Sequence, residues 1–135
     1  MQWNIQEMEK WEELQPFVDT ALLPLYLYRP DTKLVDHVMR TSYLLNVAAS
    51  IEQKLKGRVL LFPLCYQFGH EPIPQQFPAG FQHCILLQFS GDDIKLLGQE
   101  ARRLTVGDEN LDSPLRFEVT VDILTQEVIR MWQEK

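Results

Sequence analysis

His70 and Glu71 are adjacent, and a histidine beside a glutamate can serve as a metal ligand and a general base in metal-assisted hydrolysis. Asp92 is the third catalytic candidate, with Asp31 as its alternative. A stable metal site takes three or more protein ligands, and His70 has no second histidine nearby, since His37 falls inside a helical stretch and His83 starts a strand. The competing reading leaves His70 as a solvated loop residue, so no metal and no cofactor is expected. Cys65 precedes His70 by five residues, which permits a Cys–His nucleophile pair, but a buried thiol acting as apolar filler is the expectation. His83 and Cys84 are consecutive on a strand, so their side chains leave on opposite faces and cannot share a metal. Trp3, Trp11 and Trp132 lie near the two ends of the chain, where they either pack the terminal helices together or stand as anchors for a protein partner.

Composition narrows the classes. With 135 residues, 45% of them hydrophobic, the chain reads as one ordinary globular domain, residues 1–135, and not as a disordered or low-complexity segment. Thirteen basic against nineteen acidic residues give a net charge of −6, which disfavours nucleic acid. Lys54, Lys56 and Arg58 form one small basic patch and Arg102-Arg103 another, both diluted by Glu52 and Glu100. No apolar run approaches the roughly 20 residues that cross a bilayer, and the N-terminus lacks the pattern of a signal peptide. Two cysteines make no disulfide framework, so a cytosolic protein without membrane insertion is expected. Glycine-rich dinucleotide loops, a P-loop and a nucleophile elbow are all absent from the sequence.

The elements that must position these side chains follow from periodicity. Asn4 to Gln15 carries Ile5, Met8, Trp11 and Leu14 at helical spacing, with Asn4 as N-cap and Pro16 as the stop. Val18–Tyr28 is apolar on both faces, as a covered strand would be, although Pro24 argues for a bulge or an early end. Asp31 to Lys56 reads as a long helix capped by Asp31 or Thr32, with Leu34, Val38, Leu45, Ala48, Ile51 and Leu55 as its buried face. Arg58–Tyr66 is a second strand and 67–80 a long loop. His83–Phe89 is a third strand, 92–100 a short helix capped from Ser90–Asp93, and Arg102–Val106 a weak fourth strand. From 115 to 124 helix and strand spacings compete, and Ser113-Pro114 as cap and first residue favours a helix running to Trp132.

Alternating strands and helices predict an α/β fold, a three-layer sandwich around a mostly parallel sheet of about four strands. Ligands of such sheets bind at the carboxyl ends of the strands. That rim reads Tyr28, Arg29 and Asp31, then Tyr66, Gln67, His70 and Glu71, then Ser90, Asp92 and Asp93, then Asp108 and Glu109. It suits a cation better than a phosphate.

The Met1-Gln2-Trp3 leader, Phe17–Leu25, Ile51-Glu52 through Lys56–Val59, Gly80–His83 and the end at Trp132–Glu134 together resemble the YpiF-like proteins of Bacillus and related Firmicutes. That resemblance implies a cytosolic domain of a family of unknown function and supplies no active site. Val59–Pro63, Tyr66 and Gly69–Glu71 are also similar to the second strand and loop of creatininase-type amidohydrolases. Where those enzymes carry a metal motif after the first strand, this chain has Tyr26–Pro30, which implies a lost metal site. The expectation is therefore an interaction or regulatory domain with a protein partner, against the alternative of a small metal-assisted hydrolase.

Overall fold

A strand that is apolar on both faces is stable only with neighbours on both edges and cover above and below, and β1 (Thr20–Tyr28) has all of these. In this computed structural model, which describes residues 1–68, 73–74, 80–94, 96–97 and 101–134, every residue of β1 except Tyr28 is buried. On one side it pairs in parallel with β2 (Val59–Leu61) and then with β3 (Cys65–Phe68). On the other it pairs with β5 (His83–Phe89), which in turn pairs with β7 (Arg102–Val106). All these pairings are parallel. A separate two-residue parallel pair joins β4 (Ile73–Pro74) and β6 (Leu96–Leu97).

Pro24 neither bulges nor ends β1. The Leu22 carbonyl accepts the Phe62 amide at 2.8 Å, so even-numbered residues of β1 present their backbone groups to the β2 side. Pro24 faces the interval between β2 and β3, where a proline withholds no ladder hydrogen bond. The predicted single strand Arg58–Tyr66 is accordingly two strands, divided around Pro63.

The two long helices, α3 (Leu34–Lys54) and α4 (Pro114–Gln133), lie side by side on one face of the sheet. Leu22, Tyr26, Ile85, Leu87, Phe89, Leu104 and Val106 meet Leu44, Val47, Ala48 and Ile51 of α3 and Val121, Leu124 and Val128 of α4 there. The competing strand spacing at 115–124 loses to the helix, whose N-cap Ser113 accepts the Arg116 amide at 3.2 Å. On the opposite face, Leu23, Leu25, Leu27 and Leu86 pack with Ile94. Farther along that face Leu60 packs with Met1, Val18, Trp11 and Leu14, under two one-turn helices, α1 (Ile5–Met8) and α2 (Trp11–Leu14). The result is an α/β sandwich on a parallel sheet, as expected.

Several expectations need correction. The first helix breaks at Glu9-Lys10 into α1 and α2, although Asn4 caps it as expected and accepts the Glu7 amide at 2.8 Å. Neither Asp31 nor Thr32 caps α3, whose N-cap is Lys33 without a side-chain hydrogen bond. The expected stripe of α3 holds only in its second half, where Ala48 and Ile51 are buried and Leu55 packs on the core; Leu34, Val38 and Leu45 are exposed, and His37, Leu44, Val47 and Glu52 are buried in addition. Leu96-Leu97 is a strand where a short helix was expected. Gln67 lies inside β3 and not in the loop after it.

Candidate functional site

In the sheet order β2-β1-β5-β7 the chain leaves β1 for one edge and returns to its other side with β5. The carboxyl ends of β1 and β5 therefore form the switch point where open parallel sheets hold ligands. A polar cluster fills it. Asp92, just beyond β5, has no exposed side-chain surface, and its Oδ1 receives Arg29 at 3.3 Å and Arg40 of α3 at 3.2 Å. Arg29 also donates to the Gly91 carbonyl at 3.1 Å, and Arg40 reaches on to Asp108 at 2.8 Å. The Arg40 guanidinium lies over the Phe89 ring, 4.6 Å from its centroid. Gln88 donates to the Asp92 carbonyl at 2.8 Å and Arg103 to the Ile94 carbonyl at 2.7 Å, which fixes the segment carrying the carboxylate.

Burial pushes the Asp92 carboxyl above its ordinary range, against the opposing pull of Arg40, Arg29 and the Leu27 backbone. Its Oδ2 makes no hydrogen bond of normal geometry. Beside it the Tyr26 hydroxyl meets His37 Nδ1 at 2.5 Å, and His37 Nε2 meets the Arg29 carbonyl at 2.9 Å. A carbonyl only accepts, so Nε2 carries the proton and Tyr26 donates to Nδ1. Burial also raises the Tyr26 phenol. Tyr28 stacks on the His37 ring at 4.4 Å. Two arginines, two aspartates and a hydrogen-bonded Tyr–His pair thus bind the end of β1 to α3 and to the turn after β5, with Asp92 Oδ2 and Arg40 Nε left without a hydrogen-bond partner.

Next to it a polar cavity of about 480 Å³ is lined by Thr32, Asp36, Arg40, Asp108, Asn110 and Asp112. Three carboxylates against one guanidinium repel phosphate. Asp92 does not line this cavity, being packed behind Arg40.

His70 and Glu71 lie outside the described residues. Asp92 is on the rim as expected but is held by arginines, and Asp31 has no part in the cluster. Among the described residues no three His, Cys, Asp or Glu side chains converge to hold a metal ion. Cys65 and Cys84 are thiols beside the Leu23–Leu86 cluster, and burial raises the Cys84 thiol. His37, Arg40 and Tyr26 were passed over by the rim reading. The available signal was their phase: His37 and Arg40 precede Leu44, Val47 and Ile51 on the same helical face.

The terminal tryptophans do not meet, because they flank opposite faces of the sheet. Trp132 is part of the fold, its indole N–H donating to Thr20 Oγ1 at 2.8 Å under the Arg58 guanidinium, 4.0 Å from the ring centroid. Trp3 and Trp11 instead share a groove of about 540 Å³ with Ile5, Met8, Leu60 and Phe81. Trp3 is 55% and Ile5 81% exposed, so the groove keeps a large apolar surface in contact with water. Trp3 leans on Phe62 at 4.7 Å and Phe62 on Phe81 at 5.8 Å, which firms one wall.

A family model described as "Protein of unknown function (DUF2487)" matches residues 9–89, more than half of the chain. The chain belongs to the DUF2487 family. The DUF2487 segment contains Trp11, Leu60 and Phe81 of the groove and Tyr26, Arg29, His37 and Arg40 of the rim cluster, while Trp3, Ile5, Met8, Asp92 and Asp108 lie outside it. No curated protein and no solved structure matches the chain. Among the described residues of this DUF2487 chain no helix is long and apolar enough to cross a membrane.

Proposed function

We propose that this DUF2487 chain is a protein-interaction domain that receives an apolar anchor of its partner in the groove between Trp3, Met8, Trp11 and Phe81. The carrying observation is that Trp3 and Ile5, two of the residues that line this groove, stay largely exposed although Met1, Trp11 and Leu14 of the same segment are packed on Leu60. Tryptophan set in a pocket is the residue type that dominates binding energy at interfaces. A cytosolic setting belongs to the same proposal and is supported by Cys65 and Cys84 being thiols. The likeness to YpiF-like proteins of Bacillus also stays a proposal, compatible with the DUF2487 membership. The metal-assisted hydrolase has no geometric observation in its favour among the described residues, since Asp92 is engaged by Arg29 and Arg40 and Asp31 takes no part in the cluster.

The test is reconstitution with a candidate partner, followed by amide hydrogen exchange. Protection concentrated in residues 3–15, together with loss of binding on Ile5→Asp, supports the reading. Binding that survives Ile5→Asp, or protection centred on α4, refutes it.

A further inference from the structure

We infer that the segment seated in this groove is a basic amphipathic helix; the inference rests on the interaction reading and adds the chemistry of the partner. Two observations carry it. The first is charge. The helices that bear the groove also carry Glu7, Glu9, Glu12 and Glu13, against Lys10 as their one cation. Glu9, Glu12 and Glu13 are exposed, and Glu9 and Glu12 directly follow the groove-lining Met8 and Trp11, so the apolar groove is borne by an acidic segment. Such a segment steers and holds lysine and arginine, and the open face of Trp3 adds a cation–π surface. It repels anionic lipid headgroups and nucleic-acid phosphates. A second copy of the chain would bring the same acidic segment, and two of its cations, Lys54 and Arg58, are already paired with Asp122 and Asp19.

The second observation is that, among the described residues, the strand edge at the groove is already taken. Leu60 belongs to β2, and the open side of β2 is taken by Met1, whose carbonyl accepts the Leu61 amide at 2.9 Å. Of the polar lining groups, Asn4 Oδ1 already accepts the Glu7 amide. A partner must therefore satisfy its own backbone, which a helix does and an added strand does not.

Two synthetic peptides of about four helical turns test this. Both carry a Leu/Phe stripe; one has lysines on the polar face and the other glutamates. Each is labelled and titrated with the full chain by fluorescence anisotropy, with circular dichroism confirming the fold of every variant. The lysine peptide should bind at least about tenfold more tightly than the glutamate peptide, the sum expected of several exposed charge pairs. That preference should collapse in the combined Glu9→Gln, Glu12→Gln, Glu13→Gln variant, and Ile5→Asp should abolish binding. Equal affinity for both peptides, lost on Ile5→Asp, would overturn the charge inference and leave the groove as the docking face. Binding indifferent to Ile5→Asp would overturn both. No binding of either peptide would overturn the basic-helix inference alone.

Discussion

The α-ammonium of Met1 is ion-paired with Glu52, a glutamate on the sheet-facing side of α3, and both groups are buried. The same ammonium donates to the Val59 carbonyl at 2.5 Å, and Gln53 donates to the other Glu52 oxygen at 2.9 Å. The first residue is thereby tied to α3 and β2 together, and it sets the starting point of the segment that builds the groove. Removing one partner of a buried pair leaves the other charge without compensation. Glu52→Leu should cost about 3–5 kcal/mol in urea unfolding, and Glu52→Gln clearly less, because the amide keeps an acceptor for the ammonium.

The Tyr26–His37 contact joins β1 to α3 beneath the rim. Tyr26→Phe removes the donor and strands His37 Nδ1 in a buried setting, an expected loss of about 1–3 kcal/mol. Equilibrium denaturation reads it directly. An unchanged midpoint would mean that the contact contributes nothing.

Two carboxylates should respond to acid in opposite senses. Burial raises the folded pKa of Asp92 from 3.8, so its favourable contribution is present below 3.8 and declines as pH rises toward the raised value. For Asp19 burial is outweighed by hydrogen bonds from Arg58 and Thr20 that hold it below 3.8, so its contribution is complete above 3.8 and disappears as pH falls through the lowered value. On acidification from about pH 6 to about pH 4, wild type should gain stability relative to Asp92→Asn, and from about pH 4 downward lose it relative to Asp19→Asn. Urea midpoints of the three proteins across that range provide the check.

Trp132 should behave as a structural residue. Trp132→Phe deletes the hydrogen bond to Thr20 and weakens the Arg58 contact, for an expected loss of about 1 kcal/mol. Partner binding should be unchanged, since Trp132 does not line the groove.

Two strands were legible to the residue. His83–Phe89, an apolar run between turn residues, and Arg102–Val106, whose Leu104 and Val106 alternate with exposed polar residues, appear with the expected bounds, whereas Arg58–Tyr66 is two strands and β4 and β6 fall where a loop and a helix were expected. The phase of α3 was legible only toward its C-terminal end, where Ala48 and Ile51 are buried and Leu55 packs on the core as expected. Toward its N-terminal end Leu34, Val35, Val38, Met39 and Leu45 are exposed, while the sheet-facing side carries the buried His37 and Glu52 and the half-buried Arg40. Polar residues on that face have partners supplied by distant segments: the Arg29 carbonyl, Asp92 and the Met1 ammonium. Local periodicity carries no trace of such partners. Of the expected rim, Arg29, Asp92 and Asp108 meet beyond the strand ends, Gln67 lies inside β3, and His70 and Glu71 lie outside the described residues; which residues are consumed by pairing depends on the strand order. By residue type alone the three tryptophans could not be told apart; what separates Trp3 and Trp11 from Trp132 is that α1 and α2 lie on the face opposite α4.

Photo-crosslinking tests the groove most directly. Ile5 is replaced by benzoylphenylalanine in one variant, and Leu115, an equally exposed apolar residue of α4, in a second that serves as the control. Irradiation in the living cell should give one adduct of defined mass from position 5, lost when Met8→Asp is added, and none from position 115. No adduct at position 5, or the same adduct from both positions, would contradict the assignment of the Trp3–Trp11 groove as the docking face.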